Sequence, residues 1–381
     1  MTPAAPARPS ARPLAPLWTT RPSRFAGLSP RDAWATLVAL GVVLLATLLV
    51  YATPAPPAAT GSPANRADDQ ADVMLYESIV ESVRHGGNYY AVAADAMRAG
   101  HYPLKPFVTV RLPTLARVQA SVPHGVVVML LYLLAAAVAL AWYARLATVF
   151  VRPQLRIVAM ALLAGGMMKF MQSDLIAFHE IWARLFLALS LAVYRPAAWL
   201  PSVAFGLAAA LIRETAGLYL VLMAVVAFAG GQRREAIGWV VAGVILAGVL
   251  VAHAHAVAEV VRPLDPASPG WSGQLGFGFF VRTMTLSTAL ALAPLWLAAP
   301  LVGLALFGWA AWRDPLGLRV LVLIVAYAAV LSIFGRLDTF YWGLLVAPLL
   351  LPGLAFVPDG LRDLLSGALD TRRITVKRIV R

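Results

Sequence analysis

The chain has 381 residues, of which 61% are hydrophobic and only 13% charged. Its mean hydropathy of +0.77 is more than a water-soluble surface can cover, which excludes a soluble domain and marks an integral membrane protein. The formal charge of +13 is spread through the connections between apolar segments, so it fits membrane topology and not nucleic-acid binding; with no cysteine, disulfides and thiol nucleophiles are excluded.

Residues 1–33 are rich in Pro, Ala and Arg, lack an apolar period and read as a disordered basic tail against anionic headgroups. The apolar run at 34–53 is longer than a signal-peptide core and its basic lead is very long, so it reads as a retained span. Further apolar runs lie near 125–144, 157–173, 178–194, 197–213, 215–230, 236–254, 285–310, 318–335 and 340–357. Each is long enough for a hydrocarbon core of about 30 Å, which makes about ten spans in an all-α polytopic domain over 34–358. With the N-terminus inside, most Lys and Arg fall in cytoplasmic connections, so both termini are expected there. The tail at 359–381 is basic and amphipathic and suggests a surface-lying helix.

Two large connections fall on the other side, at 54–124 and 255–284. In the first, Val73, Tyr76, Ile79, Val80 and Val83 recur at helical spacing until Gly86-Gly87. A second short helix is expected from Tyr89 to Arg98, closed by Gly100, and both read as lying on the bilayer surface. The three prolines of "HYPLKPFVTVRLPTL" argue for an extended, fixed loop.

The loop carboxylates Asp68, Asp69, Asp72, Glu77, Glu81 and Asp95 form the first candidate set. On a helix starting near Asp72, that aspartate is either a cap or a chemical group. Near the outer ends of the spans stand Lys169, Asp174, His179, Glu180, Arg184, Arg213, Glu214, Arg336 and Asp338. Ionisable groups at membrane depth need partners or water, so together they suggest a polar chamber. Glu180 and Arg184, four apart, could neutralise each other. Arg213 and Glu214, being adjacent, cannot meet across one helix and each needs its own partner. His179 could shuttle a proton or cap its helix, while His253 and His255 face different ways and read as interfacial. The aromatics Tyr89, Tyr90, Tyr102, Phe107, Trp271, Tyr341 and Trp342 fit a headgroup belt or a sugar-stacking surface.

Asp-x-x-Leu-Tyr-x-x-Ile at 72–79, the Gly and Tyr-Tyr at 87–90, Tyr-Pro at 102–103, Pro-Phe at 106–107 and Arg-Leu-Pro at 111–113 together resemble the first periplasmic loop of GT-C glycosyltransferases. They are most similar to bacterial enzymes that use polyprenyl-phosphate sugars. "LIRETAGLYL" (211–220) and "RLDTFYWGLLVAPLLLPGLAF" (336–356) continue the resemblance across most of the membrane region. It implies a GT-C-like fold whose loop aspartate is general base for an acceptor hydroxyl, while the Ala-, Arg- and Pro-rich usage suggests a bacterial inner membrane. Asp72 aligns best with the Leu-Tyr pair, with Asp69 and Asp68 in reserve. Cations would hold the departing lipid phosphate, Arg213 first, then Lys169, Arg184 and Arg336, with Arg111, Glu214, His179 and Glu180 completing the site. The expected partners are a polyprenyl-phosphate-linked sugar donor, a lipid, glycan or protein acceptor, and membrane lipids, with no nucleic acid. The close pair of acidic positions also admits a divalent cation. The alternative function is a transporter or flippase for a lipid-linked or anionic substrate, which should have related halves and helices broken at mid-depth; no internal repeat is visible in the sequence.

Overall fold

The computed structural model describes residues 15–54, 63–168 and 176–370, with side chains from residue 72 onward in the second segment. Its helices in chain order are α1 (Pro30–Thr47), α2 (Pro63–Arg84), α3 (Tyr89–Ala99), α4 (Thr114–Ala120), α5 (His124–Leu146), α6 (Pro153–Gly166), α7 (His179–Val193), α8 (Leu200–Ile212), α9 (Gly217–Ala229), α10 (Arg233–Val260), α11 (Gly276–Ser287), α12 (Leu295–Ala311), α13 (Pro315–Phe334), α14 (Ala347–Leu350) and α15 (Val357–Ala368). Three-ten turns lengthen or join several of them, and no strand occurs among the described residues.

Helix ends follow local chemistry. Ser29 accepts from the Asp32 amide with Pro30 in the first turn of α1, and Asp314 accepts from the Leu316 amide ahead of Pro315 in α13. Asn88 accepts from the amides of Tyr90 and Ala91 to start α3, which Gly100 closes, as its sequence anticipates. The expected stop at Gly86-Gly87 also holds, for α2 ends at Arg84. Its start does not lie near Asp72. The helix begins at Pro63, so Asp72 sits well inside it and is no cap.

Among the described residues, four helical segments are long and apolar enough to cross a membrane: Pro30–Ala52, α5, α10 and α13. A fifth is added if Leu337–Leu345 and Ala347–Ala368, bent by 55°, count as one span. Their outer rows could not face water; Leu45 is 67% exposed and Val251 71%. The other expected spans are shorter apolar helices, such as α6, α8 and α12, or are interrupted. The 285–310 run in particular breaks at a three-ten turn, Ala289–Leu292, before α12. Helix α7 is sheathed on nearly every face and forms the central post, against α5, α8 and the 337–345 segment.

Small residues set the closest approach. A Cβ on Gly308 of α12 would collide with the Gly353 carbonyl, and one on Gly353 with the Ala305 carbonyl, so the 351–356 turn lies directly on α12. The Trp309 indole donates to Leu349 O at 2.7 Å across the same seam.

The two ends of the molecule differ. At one, here called the loop end, the two large connections form a single cap with its own apolar core of Ile79, Tyr89, Met97, Leu104, Val110 and Val257. The Leu104 amide donates to Pro266 O at 3.0 Å and the Ser268 amide to Lys105 O at 2.7 Å, while Lys105 and Ala267 form a parallel bridge. Arg98 grips Asp265 with two bonds of 2.8 Å. The 28 residues of α10 span about 42 Å, more than a hydrocarbon core of about 30 Å. Its last turns therefore rise into the cap, where His253 meets the Tyr90 hydroxyl at 3.2 Å and Val110 O at 3.0 Å. His253 is thus a buried tie between span and loop, not the interfacial residue expected, whereas His255 is exposed.

The opposite end gathers both described termini. The Asp359 carboxylate accepts from the amides of Leu17, Trp18 and Thr19 at 2.5, 3.0 and 2.8 Å, and Asp363 from that of Ser23 at 2.9 Å. Residues 15–29, expected to belong to a disordered tail, are instead fastened to α15. That helix packs on α1 and α12, whereas the tail at 359–381 suggests a surface-lying helix; residues 371–381 of that tail lie outside the described residues.

Candidate functional site

A cavity of ≈ 830 Å³ opens at the loop end between the cap and the membrane helices. Of the residues singled out in the sequence it is lined by Asp72, Arg111, Arg213, Glu214 and Arg336, together with Asp338. Aromatic walls come from Tyr76, Tyr89, Tyr102, Trp271, Tyr341 and Trp342.

Asp72 is carried by α2 and accepts from the Tyr102 hydroxyl at 2.6 Å. Local backbone makes that contact: His101 adopts a left-handed φ of 58° after Gly100, and a Cβ on Gly100 would stand 2.6 Å from the Tyr102 ring. One turn along α2, Tyr76 accepts from Arg111 Nε at 3.1 Å, and the Tyr89 hydroxyl donates to Arg111 O at 2.7 Å. Burial raises the Tyr76 and Tyr89 phenols above their ordinary pKa, so both remain protonated at neutral pH.

Behind this wall lies a four-member ion cluster. Arg213 Nε donates to Glu180 Oε1 at 2.5 Å, and Arg213 Nη1 meets Glu214 Oε1. Arg111 stands 3.6 Å from Glu180 and 3.8 Å from Glu214, with its guanidinium over the rings of Tyr76 and Tyr341 at 5.9 and 5.7 Å. Two guanidiniums and two carboxylates neutralise one another in a buried setting. Arg336 pairs with Asp338 and donates to Gly270 O at 2.9 Å, which fastens the second loop to the last span.

Several sequence expectations are corrected here. Arg213 and Glu214 touch each other, because the chain leaves α8 at Arg213 with φ −134° and ψ 107° and the two side chains are no longer held on a helix. Glu180 pairs with Arg213 and Arg111, so the i, i+4 partnership with Arg184 does not form. The Arg184 guanidinium is fully buried on α7 and has no hydrogen-bond partner among the described residues. His179 is the first residue of α7 but caps nothing; its ring lies edge-on to Tyr76 at 5.2 Å, with the Leu112 backbone a polar neighbour outside hydrogen-bond geometry. Neither Arg184 nor His179 lines the cavity.

Asp69 falls in α2, but its side chain, like that of Asp68, lies outside the described residues, as do Lys169 and Asp174. Among the described residues, no three His, Asp or Glu side chains converge as a metal site requires. Sequence reasoning missed Ser268 as a lining residue, and gave Tyr76 and Thr215 no role of their own beyond the motifs at 72–79 and 211–220 and, for Tyr76, a core position. Nothing in the spacing marked Ser268, whose placement depends on the two loops meeting.

The fold and cavity define an all-helical protein of membrane type with a polar, aromatic-walled chamber at its loop end. No protein-family model, curated protein or solved structure matches the chain.

Proposed function

We propose that the protein is a membrane glycosyltransferase that moves a sugar from a polyprenyl-phosphate donor to a lipid, glycan or protein acceptor on the periplasmic face of a bacterial inner membrane. The observation that carries the reading is the meeting of Asp72, Tyr102, Arg111 and Arg336 in one aromatic-walled cavity, the residues of the GT-C-like motifs at 72–79, 102–113 and 336–356. In this reading Asp72 takes the acceptor hydroxyl's proton as the new glycosidic bond forms and the bond to the lipid phosphate breaks. The hydrogen bond from Tyr102 orients its carboxylate. Charge growing on the phosphate is met at the cavity rim by Arg336, the most exposed of the three lining cations. The phosphate role expected first for Arg213 is less favoured by its geometry, since that guanidinium is engaged by two carboxylates.

Protein reconstituted in lipid with a panel of polyprenyl-phosphate sugars should transfer sugar to added membrane acceptors, and Asp72→Asn should slow transfer by about 10²–10⁴-fold. Transfer at the wild-type rate in both Asp72→Asn and Asp69→Asn would sink the catalytic assignment.

One observation favours a second reading, substrate movement across the membrane: the last span is broken and bent by 55° among buried residues. Flux of a lipid-linked sugar through sealed proteoliposomes without bond formation would select it.

A further inference from the structure

A second cavity, of ≈ 860 Å³, lies at the end that gathers both described termini. Four parts of the chain close it: residues 19–23, the connection at 148–149 after α5, the connection at 311–315 before α13, and Phe356 with Asp359. Hydrogen bonds lace the first three together. The Thr20 amide donates to Val149 O at 2.7 Å, the Arg24 amide to Ala311 O at 2.7 Å and the Arg24 guanidinium to Trp312 O at 3.0 Å. That last bond holds Arg24 against the backbone next to Arg313. Arg21, three residues before Arg24, shares the cavity wall with Arg313.

The charges around this cavity do not balance. Both lining carboxylates are engaged, Asp314 by Arg145 at 3.0 Å and by the Leu316 amide, Asp359 by the amides of residues 17–19. Both lining guanidiniums are open: Arg21 and Arg313 are exposed and make no hydrogen bond or ion pair among the described residues. The rest of the two terminal segments has no side-chain anion to offer, because residues 1–14 and 371–381 contain no Asp or Glu and are themselves basic. The site therefore carries a positive excess that an outside anion can meet, and the planar donors of arginine suit phosphate oxygens.

The cavity also sits at a defined depth. Helix α5 ends at Leu146 and α13 begins at Pro315, so two apolar helices of membrane-crossing length terminate beside it. Close to its wall stand exposed aliphatic side chains: Leu17 and Val151, each two residues from a lining residue, and Leu318, one turn into α13. The Val151 amide donates to Trp18 O at 3.0 Å, which keeps the first two on neighbouring strands of backbone. A free phosphate would use the arginines and leave this apolar rim uncovered. A zwitterionic lipid would bring a second cation to a site already positive. An anionic lipid answers both the charge and the rim. We propose that the cavity binds the phosphate of an anionic phospholipid, with Arg21 and Arg313 as its ligands and the acyl chains along Leu17, Val151 and Leu318. Such a lipid braces the junction of the amino-terminal segment with two helix connections, and it is independent of the chemistry proposed for the loop end.

The test titrates full-length protein in detergent with dioleoyl phosphatidylglycerol and counts bound lipids by native mass spectrometry. Dioleoyl phosphatidylcholine and inorganic phosphate are the contrasting probes. Phosphatidylglycerol should bind saturably and ahead of phosphatidylcholine, and Arg21→Gln combined with Arg313→Gln should weaken its Kd about thirtyfold. Arg31→Gln combined with Arg234→Gln removes the same charge from exposed positions at the starts of α1 and α10, outside the cavity, and should leave Kd nearly unchanged. Thr148→Asp sets a carboxylate on the exposed part of the cavity wall while keeping both arginines, and should also expel the lipid. It keeps the test decisive if the double arginine variant does not fold, which thermal unfolding reports. Equal binding of the two lipids, equal losses in the two arginine pairs, or undiminished binding in Thr148→Asp would overturn the proposal. Displacement of phosphatidylglycerol by inorganic phosphate at equal concentration would overturn it as well, by marking a site for free phosphate.

Discussion

At the scale of single residues, the ion cluster of Arg111, Glu180, Arg213 and Glu214 is the feature with the largest energetic consequence. Burial makes each charge dependent on its partner, and the side chains of Arg213 and Glu180 are 2% and 1% exposed. Removing one member leaves an uncompensated charge in a dry setting. Arg213→Met should therefore cost about 3–5 kcal/mol, and adding Glu180→Gln should restore a large part of it. Thermal unfolding of the single and double variants in nanodiscs measures both, and equal losses in the single and double variants would contradict the pairing. The pairing itself was out of reach of the sequence. Charged positions at 180, 213 and 214 could be gathered into one chamber from their place at span ends, but who meets whom depends on the helix break at Arg213 and on a loop arginine, Arg111, arriving from far along the chain.

At the scale of elements, apolar runs and turn residues revealed the helices where local rules decide, as in α3 between Asn88 and Gly100. They failed where tertiary contacts decide. The start of α2 at Pro63 carries no apolar period, and the break before α12 falls inside a uniformly apolar run. The last span is the extreme case, with three-ten geometry over Leu337–Leu345 and Leu351–Phe356 around the four residues of α14. It can be irregular because it is enclosed by α7, α11, α12 and α6, where protein and not lipid answers its backbone. The close seam with α12 gives a specific expectation. Gly308→Ala must push the 351–356 turn away and should destabilise the protein by about 1–3 kcal/mol, read as a lowered thermal midpoint. An unchanged midpoint would mean that the seam is looser than its geometry.

At the scale of the whole molecule, the cap is one unit built from two connections far apart in sequence, and Arg98 with Asp265 is its main ionic link. The hydrogen bonds from Arg98, with the Arg262 amide, hold the Asp265 carboxyl well below the ordinary carboxylate range. A carboxylate whose folded pKa is depressed stabilises the fold above its unfolded pKa, and that contribution fades as pH falls toward the folded value. The two loops should thus stay together from pH 8 to about 5 and begin to part below about pH 4, near the unfolded aspartate pKa. Because the chain has no cysteine, dyes on Glu77→Cys and Leu264→Cys can follow their separation directly. A distance constant down to acid well below that point would show that apolar packing alone holds the cap.

The other end of the molecule bears on the order in which the protein can be made. Asp359 secures residues 17–19 across 340 to 342 positions of sequence. At roughly 5–20 residues per second, a ribosome needs about 20–70 s to travel that far. Through that interval α1 waits in the bilayer without the helix that anchors its lead segment. Assembly closes only when the last helix returns to the first, so losing the Asp359 carboxylate should be felt as a failure of late maturation and not of early insertion.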